Sequence, residues 1–163
     1  MYPYFSTRKQ IPRPLYAKEL SDNNHMLNES TSKLSDIIML SMENEAKDHS
    51  FYEKLLPHLK DEDRCIINSI MLDETKHYKL LSHIYMLLNN SSPDQKDIKE
   101  AEIDTNILKN LSDAVLDEAE AVKLYRELMS SAVTEEIKDL FFEIMTDEMM
   151  HSTLLSYLYA KYK

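Results

Sequence analysis

Two short stretches of this 163-residue chain pair a carboxylate with an imidazole: Asp73-Glu74-x-x-His77 and Asp147-Glu148-x-x-His151. In a helix, residues three apart lie about 60° apart around the axis, so each Glu and its His point into the same space. One carboxylate and one imidazole on a single turn make half of a metal site. The chain contains no other Glu-x-x-His, and each of the two is preceded by Asp and followed by a Leu-Leu pair, Leu80-Leu81 and Leu154-Leu155. Solvated helix faces do not produce that coincidence easily.

The match extends upstream. Glu45-Ala46 is followed by Tyr52 and Leu55, and Glu118-Ala119 by Tyr125 and Leu128, at the same spacings. The offset between the halves is 73 residues for these Glu and 74 for the Glu-x-x-His pairs, so two units of one design lie in tandem. If each unit is a helical hairpin, the turn must fall midway between its two Glu. The midpoint of Glu45 and Glu74 is Leu59-Lys60, beside Pro57 and Asp61; that of Glu118 and Glu148 is Val133, between Ser130 and Thr134. Both are chain breaks, and each ligand then stands some 20 Å from its turn. All four glutamates are expected to meet near the middle of the molecule. Buried together they are very unfavourable unless cations neutralise them, and two divalent ions do so. Carboxylate oxygens with one imidazole per ion suit iron or manganese, and zinc also.

The elements that must position them follow from periodicity. Helices are expected at about Asn28 to Leu56, Asp61 to Asn89, Asp104 to Ser130 and Thr134 to Tyr162, with apolar residues at helical spacing such as Leu34, Ile37 and Ile38, or Ile66, Ile67, Ile70 and Met71. Asp61 and Thr134 read as N-caps, Pro57 ends the first helix, and Asn89-Asn90-Ser91-Ser92-Pro93 ends the second. The chain has no Gly and five Pro, three of them within the first 14 residues, which favours long helices over tightly turned β structure. Residues 1–25, with Tyr2, Tyr4, Phe5 and Tyr16 among the prolines, read as an extended arm before a helical domain at 26–163.

With the six ligand types in order, the chain resembles the ferritin-like superfamily, closest to rubrerythrin-type domains, over about Ser35 to Tyr159. The resemblance implies an all-α fold: an antiparallel four-helix bundle, up-down-down-up, with one long crossover between helices 2 and 3. It implies two iron ions (manganese or zinc as alternatives) with Glu45 and Glu118 as terminal ligands, Glu74 and Glu148 bridging, and His77 and His151 completing one metal each. Asp73 is then expected to orient His151, and Asp147 to orient His77. Tyr52 and Tyr125 are expected to hydrogen-bond ligating carboxylates or to be satisfied core aromatics. His49, matched by Val122, reads as a packing or rim residue. Glu43 and Glu120 are expected to point away, and Met149 and Met150 to fill core gaps.

The activity implied is a di-iron peroxidase or oxidase, fed by hydrogen peroxide or oxygen and by a separate electron donor. Two departures stand against it. Ala121 occupies the position where peroxidatic rubrerythrins carry an extra Glu, and the single Cys65 leaves no rubredoxin-type site and no internal disulfide. The alternatives are non-catalytic metal binding, iron storage, a structural role (spore-associated among the options), and dimanganese catalase chemistry. No apolar run suggests a signal or membrane span, and the net charge of −10 argues against nucleic acid. A cytoplasmic homodimer is expected.

Overall fold

The computed structural model describes the backbone of residues 23–94 and 100–163, and the side chains of residues 32–94 and 100–163. Four helices account for most of it: α1 (Asn23–Leu55), α2 (Arg64–Asn89), α3 (Ile107–Ser130) and α4 (Glu135–Tyr162). No strand occurs among the described residues. The protein is all-α there. α1 begins five residues before its expected start, and residues 1–22 of the expected arm lie outside the described residues.

The helix ends follow local chemistry. Pro57 does not simply stop α1; it sits in a 3-10 turn, Leu56–His58, that follows it. A second 3-10 turn, Asp61–Asp63, precedes α2, so Asp61 is not the N-cap. Asp63 holds that place without capping: its backbone is already helical, and its Oδ1 accepts a 2.6 Å bond from Lys161 at the far end of α4. Thr134 does cap α4, accepting from the N–H of Ile137 at 3.2 Å, and Asn106 caps α3. Where many helices end on a left-handed Gly, this Gly-free chain uses Asn90, at φ 51°, whose N–H bonds back to Met86 O at 2.9 Å.

Cross-helix bonds fix the directions. Ser35, in the first half of α1, is bonded to Asn89 at the end of α2 (2.9 Å), so these two are antiparallel. α3 and α4 form the second hairpin. Tyr52 bonds Glu118 and Tyr125 bonds Glu45, so α1 and α3 are antiparallel too. α2 and α3 therefore run the same way, and the connection between them must travel the length of the molecule. It does: Lys54, late in α1, holds Glu100 and the carbonyl of Ala101, both at 2.8 Å. From the level of Asn89 the strap covers about 28 Å along α1.

The core lies in two apolar blocks. One gathers Ile38, Leu81, Ile84, Phe141 and Ile144 towards the Ser35–Asn89 end; the other gathers Leu55, Ile67, Ile70, Leu111 and Leu155 towards the opposite end. Between them lies a polar layer. Among the described residues no helix is long and apolar enough to cross a membrane.

A candidate metal centre between two apolar blocks

One helix turn from each of four helices builds that layer. Glu45 comes from α1, Glu74 and His77 from α2, Glu118 from α3, and Glu148 and His151 from α4, and none is more than 6% exposed. Their ligand atoms form two quartets, each with all atoms within 4.8 Å of one another: Glu45, Glu74, His77 and Glu148, and Glu74, Glu118, Glu148 and His151. Glu74 and Glu148 belong to both. The Nδ1 of His77 lies 3.1 Å from Glu148 and 3.3 Å from Glu45; that of His151 lies 3.0 Å from Glu148 and 3.2 Å from Glu74. The two rings stand 5.6 Å apart between centroids. This cluster can hold a metal ion.

The outward ring nitrogens are also engaged. His77 Nε2 lies 3.2 Å from Asp147, and His151 Nε2 lies 3.4 Å from Asp73, so each Asp faces the His of the other hairpin. The tyrosines cross as well: Tyr52 donates to Glu118 Oε1, and Tyr125 to Glu45 Oε1. Each hydroxyl thus holds the carboxylate of the opposite hairpin. Lys76 lies outside the layer and bonds Asp147 while standing 3.5 Å from Asp73 and 3.3 Å from Glu143.

The electrostatics are those of a site built for cations. Burial pushes Glu118 up to about 9 and raises Glu45 well above the ordinary carboxyl range. Burial also opposes ionisation of Glu74 and Glu148, but the polar groups facing them outweigh it and hold both low: His151 and His77 beside Glu74, and Glu118 and both histidines beside Glu148. Burial would lower the histidines, yet the surrounding carboxylates hold His77 up at about 12 and raise His151 too. Proton balance alone thus puts a proton on each His and on two of the four Glu. One buried oxygen, Glu74 Oε1, still accepts no hydrogen bond, although it faces His151 Nδ1. Both imidazoles aimed at shared carboxylates, with an acceptor left over, are a donor set that could take up a metal ion.

A cavity of 630 Å³ opens between α1 and α3 and reaches Glu45, Glu74, Glu118 and Glu148. The two helices line it with matched stripes, Ser41, Glu45, Asp48 and Tyr52 facing Ala114, Glu118, Ala121 and Tyr125. Asp48 escapes notice in the sequence, although its place three residues after Glu45 mirrors Ala121 after Glu118. Burial, with Glu74 and Glu148 nearby, pushes its carboxyl up to about 8. Lys76 escapes notice too, since a lysine between Glu74 and His77 reads as a solvated residue.

The residues set aside in the sequence fall as follows. His49 is half-buried and lines a smaller pocket with Glu45, Glu74 and Tyr78. Glu120 is exposed and paired with Lys123, and Glu43 is half-buried. Met149 and Met150 are not core: they are 54% and 57% exposed, because the turn that sends Glu148 and His151 inward sends them outward. No family model, no curated protein and no solved structure matches the chain.

Proposed function

We propose that the protein is a ferritin-like four-helix bundle, rubrerythrin-like in its site, that holds two iron ions and reduces hydrogen peroxide or oxygen with electrons from a separate donor. The observation that carries this reading is the sharing of Glu74 and Glu148 between the two quartets, which suits a pair of ions with two common carboxylates. Glu45 with His77, and Glu118 with His151, would then serve one ion each. Bound ferrous ions would supply the electrons for reducing the oxidant. The chain's own contribution is position and exclusion: Asp147 and Asp73 fix the ring orientation of His77 and His151, Tyr125 and Tyr52 hold Glu45 and Glu118, and the apolar blocks keep water from both ends. The cleft beside Ala121 leaves room for a small oxidant above the four glutamates.

The same acidic cleft favours a second reading, metal holding without turnover. Anaerobic addition of peroxide to the iron(II)-loaded chain separates the two. Rapid oxidation, and repeated turnover once a reductant is supplied, is the expected result. Iron that stays ferrous makes the protein a metal holder, and oxygen release from a manganese-loaded sample makes it a catalase. Elemental analysis tests the site itself: two ions per chain in the wild type and in Glu43→Ala, and neither ion retained in Glu74→Ala. Equal metal in the two variants would refute the assignment.

A further inference from the structure

The two cavity stripes match in their Glu and Tyr but not between them. α1 carries Ser41 and Asp48 where α3 carries Ala114 and Ala121. The crossed Tyr52–Glu118 and Tyr125–Glu45 bonds set the register, so Asp48 stands level with Ala121, at the axis relating the hairpins and over the middle of the centre. Ser41 and Asp48 flank Glu45 by one helical turn on either side.

Neither side chain is spent on the fold. Ser41 is 2% exposed, yet its Oγ has no hydrogen-bond partner, not even a carbonyl of its own helix. Asp48 has no hydrogen bond or ion pair among the described residues, unlike Asp113, held by Lys109 at 3.1 Å. Glu74 Oε1, at the cavity floor, is likewise without a hydrogen bond. A buried hydroxyl left unpaired is costly unless a ligand takes it up, and the half-buried Asp48 carboxylate beside it is free to do the same. The walls say which ligand. Asp104, Asp113 and Asp117 line the cleft outside Asp48, against Lys47 and Lys109, so the field favours cations. The cavity also has room: a divalent ion with six waters needs about 180 Å³, at about 30 Å³ per water.

We propose that divalent cations reach the metal centre through the α1–α3 cleft, and that Asp48 and Ser41 form a staging site that takes the hydrated ion before the glutamates do. This deepens the metal reading and rests on it. Asp48 holds the ion while its waters are exchanged for Glu45 and Glu118, and Ser41 replaces one water beside Glu45. Across the cleft, the methyl group of Ala121 leaves the passage open.

Stopped-flow loading of the chelator-stripped full chain with Co²⁺ tests this, followed by the visible absorption of the bound ion. Asp48→Asn is expected to load and release Co²⁺ at least about tenfold more slowly, with two ions per chain still bound at the end. Ala121→Leu, which narrows the cleft without touching a charge, is expected to slow both directions as well, with circular dichroism reporting on its fold. Glu135→Gln removes an exposed charge on α4 outside the cleft and is expected to load at the wild-type rate. Wild-type rates in Asp48→Asn, or equal slowing in Glu135→Gln, would overturn the staging site while leaving the metal centre intact. A wild-type chain that takes up no Co²⁺ overturns both.

Discussion

At the scale of single residues, the two histidines are not equivalent, although the repeat suggests they should be. His77 shares Asp147 with Lys76, whereas the residue matching Lys76 in the second half is the exposed Met150. Lys76 stands nearer to Asp147 than to Asp73, at 2.5 against 3.5 Å, so it lowers the electron density lent to the His77 ring more than that lent to His151. Asp73→Asn and Asp147→Asn are each expected to weaken metal binding by about 10–100-fold in competition with a chelator. Lys76→Met is expected to tighten the ion on the His77 side. Unchanged affinity in both Asp variants would reduce those carboxylates to surface residues.

At the scale of elements, the least replaceable backbone position is the end of α2. Asn90 sits at φ 51°, where a Cβ crowds the carbonyl and Asn is tolerated better than most side chains. Asn90→Ala is expected to lower stability by about 1 kcal/mol, and Asn90→Gly to hold or raise it, read as the midpoint of urea unfolding at constant slope. Both hairpin turns were legible in the sequence, because Pro57 and the Ser130–Thr134 break interrupt long periodic runs midway between paired Glu. The six ligand candidates and the two Asp were legible for the same reason, since each repeats once at matched spacing. What was hidden needed contacts between hairpins. Tyr52 and Tyr125 each bond the Glu of the other half, a pairing no local spacing encodes. Asp63 is tied to Lys161, 98 positions along the chain. Asp48 was legible in principle, as the one acid that breaks the match between the α1 and α3 stripes. Met149, two residues from His151, was misassigned against the helical wheel itself.

At the scale of the whole molecule, stability and pH are coupled through the buried layer. With protons alone to balance it, the layer keeps them on His77, His151, Glu45 and Glu118, all of whose affinities for protons are raised by folding. The stability these groups lend is complete below their unfolded values, and it drains away as pH climbs towards the folded ones. The melting temperature of the chelator-treated chain is therefore expected to fall from pH 6 to pH 9. Two divalent ions, as proposed, would displace those four protons, so metal affinity is expected to rise across the same interval, with acid released on loading in an unbuffered titration. A loading reaction without proton release would contradict that charge balance. The crossed Asp–His and Tyr–Glu bonds carry one more consequence. Everything the centre needs is present in a single hairpin such as α3–α4, which holds Glu118, Tyr125, Asp147, Glu148 and His151. Two identical copies facing each other across a dyad would already close every one of those bonds. One half-length sequence used twice would therefore suffice to build the polar layer, and Asp48, Lys76 and His49 are where the two halves of this chain differ around it.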